Sequence, residues 1–255
     1  MTDTPSPAPD HVSCRDHYQG LLARHYIWAF GGAEALRQAA ETAVEGWFPA
    51  PRRGGHALDL GCGPGFHTLA LARRGFRVAA LDTSRELLAD LAARTGELPV
   101  RALEADLRAL PALRLPPAEA ILCLGDTLAH LASPGEVRAC IADAAQALEP
   151  GGRLVLGFRD QSRELPAGQR CFLLRSAPDR LFTACIEYAP DAVFVTDMVH
   201  ARGPEGWSLA QSRYRKTRLT RDQVAAICVK AGLEPESEEN ARGMITLVLR
   251  RPAAR

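Results

Sequence analysis

A chain of 255 residues with 47% apolar content can bury one sizeable core, with room for additions to it. A formal charge of +1 excludes the global electrostatic bias of a nucleic-acid or anionic-membrane binder, so neither partner is expected. No uninterrupted apolar run approaches the roughly 20 residues of a bilayer span, and Met1 to Asp10 lacks the basic-then-apolar order of a signal peptide; a soluble, cytoplasmic protein is expected.

In chain order, residues 1–12 are proline-rich and polar and read as a disordered tail. Two helical stretches follow, about 16–30 and 33–47, split by Gly31-Gly32. From residue 56, strands and helices alternate. A strand over His56 to Leu60 runs through a glycine turn into a helix over about Phe66 to Arg74, and a second strand spans Arg77 to Leu81. A helix with a Thr83/Glu86 capping box comes next, then strands at Val100 to Ala105 and Ala118 to Leu124. Ser133-Pro134-Gly135-Glu136 opens a helix to about Leu148, and Arg153 to Phe158 is a fifth strand. Five strands separated mostly by helices imply a parallel sheet wound on both faces.

Beyond residue 165 the apolar period falls to about two, over Cys171 to Arg175, Leu181 to Tyr188, Ala192 to His200 and Trp207 to Arg218, which predicts an antiparallel insertion. Thr220 with Gln223 starts a helix ending near Gly232, and Met244 to Leu249 is a last strand. The expected division is a tail (1–12), an N-terminal helical lid (13–50), a core (51–164), an insertion (165–219) and a closing helix with strands (220–255). Seven cysteines, an odd number without any C-x-x-C pair, read as buried reduced thiols.

The segment Ala57 to Phe66 feeds a strand through Gly61-Cys62-Gly63-Pro64-Gly65 into a helix, so a ligand can approach bare backbone near a helix N-terminus. A dinucleotide turn needs its third glycine three residues after the second, and Phe66 stands there instead. The G-x-G-x-G spacing, with Asp59 two residues before it, disfavours a pyrophosphate ligand. Asp82, Asp106 and Asp126 each follow a later strand, at the edge where open α/β sheets bind ligands.

Asp59 to Gly65 resembles motif I of the class I S-adenosylmethionine-dependent methyltransferases, and the later acidic positions agree in order and spacing. The resemblance implies an α/β, Rossmann-like, doubly wound sheet of seven mostly parallel strands, with S-adenosylmethionine as cofactor and S-adenosylhomocysteine as product. It implies that Asp59, Gly61, Cys62, Gly63 and Gly65 form the cofactor turn. Asp82 with Thr83 would take the ribose, Asp106 and Leu107 the adenine, and Leu124 the methionine part. Trp28 on the lid would face the sulfonium by cation–π attraction.

The acceptor is expected to be a small molecule, methylated on nitrogen in preference to oxygen or sulfur. Gly125-Asp126-Thr127-Leu128 lacks the Asn/Asp-Pro-Pro-aromatic signature of base and glutamine methylation, and no Asp-Asn pair of catechol-type metal sites is evident, so no metal is expected. The layout is similar to glycine N-methyltransferase-like enzymes. Tyr18, Tyr26, Asp126 and Arg159 are candidate acceptor contacts, and His130 is the candidate general base. Asp160, Arg170, Tyr188 and Tyr214 are further polar candidates on an insertion roof. Plainer roles stand beside these. Tyr18, Leu22 and Tyr26 share one helix face and could be core, Asp82 and Asp126 could cap helices, and His67 and His130 could be ordinary packed residues. A non-catalytic cofactor-binding protein and a nicotinamide dehydrogenase are the alternatives, the second disfavoured by Phe66.

Overall fold

The computed structural model describes residues 10–253; residues 1–9 of the expected tail lie outside the described residues. Val12 is already tied down, its amide donating to the Arg213 carbonyl at 2.8 Å in a parallel bridge with Tyr214. The helical stretch expected over 16–30 begins earlier and is irregular. It runs as α1 (Cys14–His17), a π-helical turn (Tyr18–Leu22), a 3-10 turn (Ala23–His25) and α2 (Tyr26–Ala29). Gly31 and Gly32, both at positive φ, separate it from α3 (Ala33–Trp47).

The core then alternates β1 (His56–Leu60), α4 (Phe66–Arg73), β2 (Arg77–Asp82), α5 (Arg85–Thr95), β3 (Val100–Glu104) and β4 (Ala118–Cys123). After α6 (Pro134–Ala147) comes β5 (Leu148–Arg159). Helix α6 starts as its sequence dictates: the Ser133 side chain accepts from the Glu136 amide, and proline takes the first turn. Helix α5 starts one residue later than expected. Asp82 takes the Ser84 amide, the chain bends at Thr83, and Ser84 becomes the cap.

An antiparallel meander follows: β6 (Cys171–Ala177), β7 (Arg180–Tyr188), β8 (Ala192–Gly203) and β9 (Gly206–Thr217). Thr220 and Gln223 form a reciprocal capping box at α7 (Arg221–Lys230). The chain ends in a hairpin of β10 (Glu234–Ala241) and β11 (Met244–Arg250). Strand β10 had no apolar alternation to announce it, since all eight of its residues are exposed at the sheet edge.

The main sheet has seven strands in the order β10-β11-β5-β4-β1-β2-β3, with β11 antiparallel to both neighbours and the remaining pairs parallel. Both faces are covered, as parallel sheets require. Ile121 and Cys123 of β4 pack with Val137 and Ile141 of α6, while Ala120 and Leu122 pack with Val44 of α3 and Leu71 of α4. The second sheet keeps meander order and turns Phe182 and Val199 toward Leu21, Leu22 and Ala29 of the N-terminal helix.

Cys171 and Cys185 stand directly opposite in the β6–β7 register and are joined in a disulfide. The expectation of seven reduced buried thiols is thereby corrected to five free cysteines: Cys123, Cys140 and Cys228 are buried, and Cys14 and Cys62 partly so. A spacing of 14 residues does not reveal a register, so the pair could not be read beforehand. No helix among the described residues is long and apolar enough to cross a membrane.

Candidate active site

The order of strands reverses between β1 and β4, and a cavity of about 440 Å³ opens there at their C-terminal ends. Its floor is the β1–α4 turn. Gly63 has φ 53° and nothing within 4 Å of where a Cβ would stand, so the backbone itself faces the ligand space. Gly61, Cys62 and Asp59 line the same floor. Gly65 does not: its missing Cβ makes room for Leu91 of α5, so this glycine serves packing.

Asp82 lines the wall at the end of β2 with Thr83. Its two carboxylate oxygens accept from the Gly63 and Ser84 amides, each at 2.8 Å, which aims the remaining lone pairs. Burial raises its pKa, with the Ser84, Gly63 and Thr83 amides opposing. Asp59 is buried behind the turn, where its pKa is pushed up to about 6 by burial, partly offset by the Thr68 hydroxyl donating at 2.6 Å.

Asp106 and Leu107 follow β3 and also line the cavity. The Asp106 carboxylate is gripped by Arg108 through Nε at 2.9 Å and Nη2 at 2.6 Å, and this hydrogen bonding holds its pKa below the usual range. Beyond Leu124 and Gly125, the far end is formed by His130 and by Tyr18 and Tyr26 from the N-terminal helix. The Tyr18 and His130 rings meet edge-on at 5.5 Å. Burial, reinforced by the Lys216 cation and only partly countered by Asp126, pushes His130 down to about 3. His130 is therefore neutral at physiological pH. His67 also lines the cavity, and burial lowers it to about 4.

Several expected contacts stand elsewhere. Trp28 is away from the cavity, with the Arg180 guanidinium 4.7 Å above its ring. Asp126 sits at φ 71° and makes no cap bond, although a 3-10 turn (Thr127–His130) follows it. Instead its carboxylate accepts from the Arg159 amide and from Lys216 Nζ, each at 2.9 Å. Burial works against both charges, yet the pair wins: Asp126 is held low and Lys216 high. Arg159 turns outward to the Arg242 carbonyl, and Asp160 accepts from the Ser162 and Arg221 amides. Arg170 and Tyr188 pair with each other, and Tyr214 is buried beneath the N-terminal helix, so none of these five lines the cavity.

Sequence reasoning passed over Lys216, although it is one of only two lysines in an arginine-rich chain. It also passed over Ser13, Cys14 and Arg15, which line the cavity from the first turn of α1 and carry no motif of their own.

Residues 57–152 match the family described as a methyltransferase domain. The glycine/sarcosine N-methyltransferase of Aphanothece halophytica is 29% identical over 167 residues, covering 63% of this chain and 62% of that enzyme, so the chain spans under two thirds of its length. The ubiquinone biosynthesis O-methyltransferase of Xylella fastidiosa (strain 9a5c) is 39% identical over 112 residues, covering 41% of this chain and 42% of that one. Among solved structures, the CcbJ methyltransferase from Streptomyces caelestis superposes with a TM-score of 0.77 at 20% identity, over 94% of this chain and 99% of that one. Motif, fold and domain match agree: residues 57–152 carry a methyltransferase domain, set in a chain with the Rossmann-like fold of solved methyltransferases.

Proposed function

We propose that the protein transfers the methyl group of S-adenosylmethionine to an amine nitrogen of a small molecule. The observation that carries this reading is the cavity itself: bare backbone and an aimed aspartate at one end, a neutral aromatic enclosure at the other. In it, the Gly61–Gly63 backbone and Asp59 hold the methionine part, Asp82 with Thr83 the ribose, and Asp106 with Leu107 the adenine. Leu124 closes the middle, and Tyr18, Tyr26 and His130 bound the acceptor. The cofactor supplies an already activated methyl group on a sulfonium. What remains for the protein is to exclude water and to aim a neutral nucleophile, which accounts for most of the acceleration such a reaction needs.

Nitrogen is favoured over oxygen because an alcohol acceptor needs a competent base. A histidine held at about 3 does not retain a proton taken from one. Asp126 and Lys216 are paired with each other at 2.9 Å and so offer neither a free carboxylate nor a free amine as a base. The Aphanothece relative acts on nitrogen by name, which agrees, and the Xylella relative on oxygen, so acceptor choice is left to experiment.

The test is transfer of labelled methyl to matched panels of small amines and alcohols, with products identified by mass spectrometry. N-methylated product is expected, and transfer confined to oxygen would overturn the preference. Asp82→Ala, which removes charged hydrogen bonds worth roughly 1.5–3 kcal/mol each, should weaken S-adenosylhomocysteine binding at least about tenfold. Unchanged affinity in that variant would remove the cofactor assignment.

A further inference from the structure

His17 of α1 is wholly buried, and Asp197 of β8, 180 residues away, is 3% exposed. His17 Nε2 stands 3.1 Å from Asp197 Oδ2, close but out of line with the ring, and Nδ1 has no partner among the described residues. The imidazole lies flat on Tyr214 of β9, centroids 3.8 Å apart at 15°. Burying an imidazole neither of whose ring nitrogens makes a hydrogen bond among the described residues opposes stability, which calls for a role other than adhesion.

That role follows from direction. Successive helical side chains point about 100° apart, so a helix that seats His17 in the insertion sheet must send Tyr18 elsewhere. Tyr18 goes to the cavity wall, edge-on to His130. Immediately afterwards the helix widens into the π-helical turn Tyr18–Leu22, a departure that recurs at functional sites. The apolar contacts of Leu21 and Leu22 with Phe182 and Val199 resist lifting of the helix but tolerate rotation. A single polar pair over a stacked ring does not.

We propose that His17 and Asp197 are a positioning pair that fixes the rotational setting of the N-terminal helix on the insertion sheet. They thereby hold Tyr18 at the acceptor end and keep the helix across the cavity, an inference that rests on the cofactor reading above for its consequence in binding. Neither residue lines the cavity; each acts through Tyr18.

The full chain is tested with S-adenosylhomocysteine as the probe. Asp197→Asn is nearly isosteric, and His17→Phe keeps the ring on Tyr214. Each is expected to speed release of the probe about tenfold, with the double variant no faster than the faster single. Amide hydrogen exchange in the free protein should rise over residues 14–29 and stay unchanged in β1 and β4. Release less than about threefold faster, or exchange that is unchanged over 14–29 or rises equally in β1 and β4, overturns the pair. The exchange measurement needs no ligand, so it decides on the pair even if the parent protein fails to bind the probe, a result that would strike the cofactor reading instead.

Discussion

Asp59 and His130 are both pushed toward neutrality by burial, with opposite consequences for the reaction. Asp59, at about 6 in the free protein, is protonated below that pH and ionised above it. A cofactor ammonium beside it favours the ionised form, so affinity for S-adenosylhomocysteine should be full above about pH 6 and fall as pH drops through it. Between pH 7 and 5 the loss is about tenfold by linkage, and Asp59→Asn should flatten the dependence. Calorimetry across that range checks it; a flat parent profile would detach Asp59 from the ammonium. For the free protein the sign is the reverse. A carboxyl raised from 3.8 to about 6 costs stability progressively as pH rises through that window. His130, at about 3, cannot keep a proton taken from an ammonium, so His130→Asn should lower kcat by less than about tenfold while raising KM for the acceptor. A loss of 10²- to 10⁴-fold in kcat, the range for a general base, would reinstate that role. The glycine turn and the aspartates after β2 and β3 were legible because each is a local feature of one strand end. Asp126 with Lys216 and His17 with Asp197 were not, because their partners lie 90 and 180 residues apart and nothing in one sequence pairs them.

At the level of elements, the glycines of the motif divide their work, and this gives a stability prediction. Gly63 opens onto the cavity, whereas Gly65, at φ 79°, carries the αL start of α4 and lies against the Leu91 side chain. Gly65→Ala adds left-handed strain and a collision between α4 and α5. It should therefore cost about 2–3 kcal/mol, read as a lower urea midpoint at unchanged slope. Gly63→Ala carries the same left-handed strain but meets no neighbour, so it should cost less stability and chiefly impair cofactor binding. Equal stability loss in the two variants would contradict this division. Elements with apolar periodicity or capping chemistry were readable, as α6 and α7 illustrate with Ser133 and Thr220. The N-terminal helix was readable as helical but not as irregular, since no glycine, proline or capping residue stands at Leu22 and Ala23, where its π turn passes into its 3-10 turn. Strand β10 had no signal, because an edge strand of exposed residues is held by backbone pairing to β11 and by ion pairs to residues distant in sequence, Glu238 with Arg221 and Glu236 with Arg153.

The whole molecule is a mostly parallel core whose cavity is bounded by the N-terminal helix, and that helix packs on the insertion sheet, each completing the other's apolar surface. The inner face of the insertion presents Phe182 and Val199, and these are covered by Leu21, Leu22 and Ala29 rather than by anything within the insertion. A second contact set, Ala184, Val193, Val195 and Tyr214, is flanked by Cys14 of α1. Its outer face leaves Leu173, Trp207 and Leu209 each more than half exposed, so a four-stranded sheet cut free would have apolar side chains open on both sides. A single antiparallel layer lacking a packed face does not reach independent stability in water. Residues 165–219 expressed alone should therefore show no cooperative thermal transition by circular dichroism, and limited proteolysis of the native chain should release no stable fragment from this region. A sharp, reversible transition in the isolated segment would establish it as a domain of its own, and the N-terminal helix would then be packed onto a preformed surface rather than helping to build it.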